Sequence, residues 1–80
     1  MIKHKKYGLR RRDKQILKAT IDEYITSNHP VGSKHLKEQY TFKFSPATIR
    51  NILAKLESHS LLTHVHTSSG RTPTNNGYRY

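Results

Sequence analysis

Cysteine is absent from these 80 residues, which excludes a disulfide framework and a thiolate zinc site alike. Long apolar runs are missing too. None approaches the ~20 residues of a membrane span, and the basic N-terminus lacks the apolar stretch of a signal peptide. A cytoplasmic protein without a membrane partner is therefore expected. Acids are scarce, five against fifteen Lys and Arg, for a balance of +10, and none follows Glu57. Such a surface attracts polyanions at long range, nucleic acid first and an anionic membrane surface more weakly. No base–acid pair accompanies the serines at 68 and 69 to activate a nucleophile, so neither catalysis nor a cofactor is expected. Six histidines are scattered along the chain. His64 and His66 can share a strand face, but with no cysteine and no later carboxylate to complete a ligand set, no metal site is expected.

With 32% hydrophobic residues, the chain suffices for one small domain with a compact three-helix core. Residues 1–9 read as a flexible basic arm: six of the fifteen basic residues lie in the first twelve positions, and Gly8 is a break. From Arg10 or Asp13 to Asn28, the residues Ile16, Leu17, Thr20, Ile21, Tyr24 and Ile25 recur with helical period, with Asp13 as an acceptable cap. Pro30 and Gly32 interrupt the pattern. Ser33 then caps a short second helix running to about Tyr40, with Leu36 and Tyr40 inward. Residues 41–44 lead to a third helix capped by Ser45, and Phe44 packs inward just before it. Two helices joined this closely make a helix-turn-helix.

The third helix carries the strongest signal. Pro46 suits its first turn, where a missing N–H is no loss. Ile49, Ile52, Leu53 and Leu56 form a core stripe, while Ala47, Arg50, Asn51 and Ala54 share the opposite face with Thr48 and Lys55 at its edge. Small residues there admit a close backbone, and Arg and Asn each make bidentate contacts to base edges in a DNA major groove. The alternative is an ordinary solvated face.

After the helix, residues 61–66 alternate as a strand, with Leu62 and His64 on one face and Leu61, Thr63 and Val65 on the other. Thr67–Gly70 is a turn, Arg71–Pro73 a second strand with Pro73 at an edge or end, and Thr74 caps a further helix from Asn75. The expected fold is mainly α with a small β-hairpin, a winged helix-turn-helix over residues 10–80. Arg71, beside flexible Gly70, then touches phosphate or the minor groove.

Several motifs occur in one order: Pro30-Val31-Gly32-Ser33-Lys34, Ser45 to Asn51, Leu56-Glu57, His66 to Thr74, and Gly77-Tyr78-Arg79-Tyr80. Over roughly residues 9–80 the chain resembles the N-terminal winged-helix domain of the heat-inducible transcription repressor HrcA family. The resemblance implies a bacterial repressor of chaperone operons that binds double-stranded DNA, an inverted-repeat operator of the CIRCE type, as a homodimer, with help from the chaperonin GroEL. By position it implies that Ser45, Thr48, Arg50 and Asn51 lie at the major groove. It implies phosphate contacts from Ser33 and Lys34, and a wing of His66 to Arg71 that includes Thr67 and Ser69. Lys55 joins the candidate set from the helix edge.

Departures from the family pattern are Ile52 in place of an acid, read as extra core, Ser60 in place of a glycine, which weakens a C-cap, and Arg10 where Ser or Thr is common. Family members continue well past Tyr80, so the chain is expected to be a fragment or excised domain, with a stand-alone short relative as the alternative. A winged helix used for protein contact or for nonspecific nucleic-acid binding is the alternative. Against it, the third-helix face is neither acidic nor apolar, and only Tyr7, Tyr78 and Tyr80 remain outside the core for stacking on unpaired RNA bases.

Overall fold

Arg10 opens the first helix, although its side chain has no acceptor with which to cap one. The cap comes from inside the helix instead. Asp13 Oδ2 accepts the Arg10 backbone N–H at 2.9 Å, so α1 runs Arg11–Ser27 and ends on Asn28 in the left-handed region (φ 60°). The structure is a computed structural model that describes residues 8–64 and 70–80. Most of the basic arm, and the site candidates His66, Thr67 and Ser69, therefore lie outside the described residues.

The second helix, α2, spans Ser33–Gln39, and its N-cap is Gly32 rather than Ser33, which makes no capping bond. Ser33 instead occupies the first turn. The connection over residues 40–45 is stiffened by aromatic stacking, Tyr40 on Phe42 at 5.5 Å and Phe42 on Phe44 at 5.9 Å between ring centroids. Lys37 Nζ also donates to the Phe42 carbonyl at 2.7 Å. Phe44 packs against the core as its place before the cap predicts.

Helix α3, Pro46–Ser58, begins as expected: Ser45 Oγ accepts the Thr48 N–H at 3.1 Å, with Pro46 in the first turn. It ends in a Schellman arrangement. Ser60 N–H donates to Glu57 O at 2.9 Å and Leu61 N–H to Leu56 O at 3.0 Å, with Ser60 at φ 63°. Ile49, Ile52, Leu53 and Leu56 are all buried, and Ile52 is core where the family pattern has an acid.

Strands β1 (Leu62–His64) and β2 (Arg71–Pro73) pair antiparallel, with Thr63 opposite Thr72 and His64 opposite Arg71. Pro73 ends its strand. Val31 adds a bridge to the other edge of Arg71, bonding it in both directions at 2.9 and 2.8 Å. Thr74 caps α4 (Asn75–Arg79) by accepting the Gly77 N–H at 3.0 Å.

Besides the Ser33 cap, three sequence expectations change. Strict alternation fails after α3, because Leu61 and Leu62 are both buried while Thr63 and His64 are exposed. Leu61 sits under α4, where its carbonyl accepts the Thr74 N–H at 3.2 Å and lies so close to Gly77 that a Cβ there would collide with it. Ile25 is 65% exposed despite its apolar period, although its neighbour Tyr24 in the same turn packs against the core. Gly70 is a buried contact rather than a flexible joint: a Cβ there would meet Pro30 Cβ at 2.6 Å. Ile16, Leu17 and Ala19 of α1, Leu36 of α2, the α3 stripe, Val31 and Leu61–Leu62 form one core, with Leu9 and Tyr80 packed on its margin.

Candidate nucleic-acid interface

With its apolar stripe locked in the core, α3 turns Ala47, Arg50, Asn51 and Ala54 fully outward. Two hydrogen bonds tie down the start of this face. Ser45 Oγ donates to Thr48 Oγ1 at 3.1 Å while accepting the Thr48 N–H, so both hydroxyls are held in place. The geometry brings Ser45, Thr48, Arg50 and Asn51 to one surface.

A cleft flanks that surface on each side. One, on the wing side, is lined by Gly32, Ser33, Lys34, Arg50, His64 and Arg71. Ser33 and Lys34 in the first turn of α2 thus share a wall with Arg50 of α3. The other, on the α1 side, is lined by Arg10, Arg12, Thr48, Asn51 and Lys55 over the buried Asp13. Arg10 and Arg12 were not among the sequence candidates. Their signal was present, however: three consecutive arginines start a helix, where acids are favoured.

Two candidate cations have partners inside the fold. Lys55 Nζ lies 2.8 Å from Asp13 Oδ2 and 3.4 Å from the Gly8 carbonyl. Arg71 Nε lies 2.8 Å from Glu57 Oε1, and the arginine side chain is only 11% exposed. Asp13 is buried, and burial, the largest single influence, raises its pKa. Hydrogen bonds from Lys55 and the Arg10 backbone, with the charges of Lys55 and Arg12, outweigh it and hold the carboxyl below its ordinary value.

Asp22 pairs with Lys18 at 3.0 Å and Glu23 with His35 at 2.7 Å. Four of the five acids are thus engaged, and among the described residues none forms an ion pair with the side chain of Arg10, Arg11, Arg12, Lys34 or Arg50. No group of three metal-ligating side chains occurs among the described residues, nor is any helix there long and apolar enough to cross a membrane.

Residues 8–80 match the family described as winged helix-turn-helix transcription repressor, HrcA DNA-binding. The heat-inducible transcription repressor HrcA of Acaryochloris marina is 50% identical over 73 residues, 91% of this chain and 20% of that protein. Its namesake in Gloeobacter violaceus is 57% identical over 68 residues, covering 85% and 19%. A crystal structure at 2.2 Å, described only as that of a hypothetical protein, superposes with a TM-score of 0.86 at 41% identity over 89% of this chain and 23% of its own. The chain spans about a fifth of the length of the curated relatives it matches. Over residues 8–80 this chain belongs to the HrcA family of winged helix-turn-helix DNA-binding domains.

Proposed function

We propose that this chain is the operator-reading domain of a heat-shock gene repressor, working in the cytoplasm and without catalysis. Helix α3 enters the major groove of duplex DNA, where Arg50 and Asn51 read base edges and Ser45 and Thr48 contact the groove wall. Ser33 and Lys34 hold phosphate from α2, and the segment that includes His66, Thr67 and Ser69 reaches the flanking backbone or minor groove. Lys55 and Arg71 line the two clefts, but their charges are balanced by Asp13 and Glu57. Their share is to hold the edges of the interface more than to release counterions.

In the longer protein two such domains read an inverted repeat of the CIRCE type as a homodimer, and GroEL acts through regions beyond this domain. Linking two readers adds avidity that one domain lacks, so this chain alone is expected to bind in the micromolar range.

The observation that carries this reading is the outward face of α3, polar, free of acid and flanked by Arg10, Arg12 and Lys34, none of which forms an ion pair among the described residues. Fluorescence anisotropy with an inverted-repeat duplex and a scrambled one, at low and near-physiological salt, tests it. A preference that survives the higher salt supports sequence reading; equal binding that vanishes with salt refutes it. Arg50→Ala is expected to weaken inverted-repeat binding by about 1–3 kcal/mol and to leave scrambled binding nearly unchanged. Equal losses on both duplexes would remove Arg50 from base reading.

A further inference from the structure

Arg10, Arg11 and Arg12 occupy the N-cap and first two residues of α1, and all three side chains are exposed. The N-terminus of a helix carries positive partial charge, so cations there are unfavourable and acids favourable. The one acid in that turn, Asp13, is buried and already bonded to Lys55 and to the Arg10 backbone. The cap position also forgoes the Ser, Thr, Asp or Asn that would bond the helix start. Local stability alone accounts poorly for three uncompensated arginines. A multivalent anion outside the fold accounts for them directly.

Their position says which anion. Arg10 and Arg12 line a cleft whose other wall is the recognition helix, through Thr48, Asn51 and Lys55. It lies across α3 from the cleft holding Lys34 and Arg71. A duplex seated on α3 has one phosphodiester strand on each side of the groove, and a helix in the major groove runs between them.

We infer that Arg10 and Arg12 form a second phosphate clamp, gripping the DNA strand opposite the one held by α2 and the wing segment. The inference rests on the proposed duplex binding and extends it to the far strand. Asp13 takes part by holding Lys55 and the backbone of Arg10, which keeps the α1 start against α3 while its guanidinium groups face the DNA. Because phosphate carries no sequence information, the clamp adds affinity and register without discrimination.

The test compares the unaltered chain with Arg10→Gln/Arg12→Gln and Arg10→Lys/Arg12→Lys on inverted-repeat and scrambled duplexes across a salt series. The glutamine pair is expected to weaken both duplexes alike, by about three- to tenfold per arginine near 0.1 M salt. It should also lower the slope of log K against log salt by about 1 to 2. The ratio between duplexes stays the same, and the lysine pair restores most of the slope. Arg12→Gln alone leaves the cap residue in place and gives about half the slope change, which serves if the glutamine pair no longer melts cooperatively. An unchanged slope overturns the clamp, as does a loss confined to the inverted repeat. If the unaltered chain binds no duplex at all, the proposed function falls and the clamp with it. If it binds but the glutamine pair binds equally well, only the clamp falls.

Discussion

Asp13 shows how much one side chain does here. It is 1% exposed, yet it keeps its charge because Lys55, the Arg10 N–H and the charge of Arg12 together outweigh its desolvation. It caps α1 through the Arg10 N–H and ties α1 to α3 through Lys55. Its folded pKa lies below the ordinary value, so protons bind the unfolded chain more readily. Its contribution to stability is then complete above about pH 4 and is lost as pH falls through the folded value. Asp13→Asn retains an acceptor for Arg10 but strands Lys55. The Lys55 side chain is 37% exposed, so water recovers part of the loss. The expected cost is about 1–2 kcal/mol, less than the 3–5 of a fully buried pair. Chemical denaturation at pH 7 and at pH 3 measures both effects: the variant should be less stable at pH 7 and lose less on acidification. Parallel pH profiles would mean that Asp13 titrates as it does in the unfolded chain. The role of Asp13 as more than a local cap was invisible in the sequence, because its partner stands 42 positions away.

At the scale of the element, α3 is specified from both ends. Ser45 and Pro46 set its start, and the structure places both as their sequence predicts. Its end is the imperfect part. Ser60 holds φ 63° to complete the Schellman bonds, a conformation that costs an L-residue about 1–2 kcal/mol. The Ser60 carbonyl accepts a hydrogen bond from Thr74 Oγ1 at 2.6 Å, a bond that glycine keeps. Ser60→Gly is therefore expected to stabilise the fold. Glycine's extra unfolded-state entropy offsets about 0.5–1 kcal/mol, leaving a net gain of about 0.5–1 kcal/mol and a rise of several degrees in Tm. Thermal unfolding followed by circular dichroism measures it, and a lower Tm would mean that the Ser60 side chain contributes more than its backbone strain costs. The strands were less legible than the helices. Leu61 and Leu62 both go inward because the turn that ends α3 ties Leu61 to Leu56 while α4 packs against the Leu61 carbonyl, and a period-two pattern carries no trace of either.

For the whole molecule, the dominant quantity is charge. The described residues extend 33 × 26 × 20 Å, while the Debye length is about 30 Å at 0.01 M salt and about 8 Å at 0.15 M. At the lower salt nearly every cation in a +10 chain repels every other; at the higher salt only near neighbours do. Screening also weakens the ion pairs, but Asp13 and the Arg71 side chain are buried or nearly so and feel it less. Raising NaCl from 0.01 to 0.15 M should therefore raise Tm by a few degrees, measured without nucleic acid. A fall in Tm over that range would mean that the ion pairs outweigh the net repulsion.

The sequence by itself determined the three helices, the cap and outward face of α3, the burial of Ile52 and the cap of α4. Each depends on residues within a turn or two of one another, and periodicity and capping chemistry report on just that range. Only the tertiary structure decided that Ile25 stays uncovered, that Gly70 is required by Pro30, that Lys55 and Arg71 face Asp13 and Glu57, and that Arg10 and Arg12 stand beside α3. These outcomes turn on which distant segments meet, and desolvation and charge pairing act across space without leaving a pattern along the chain.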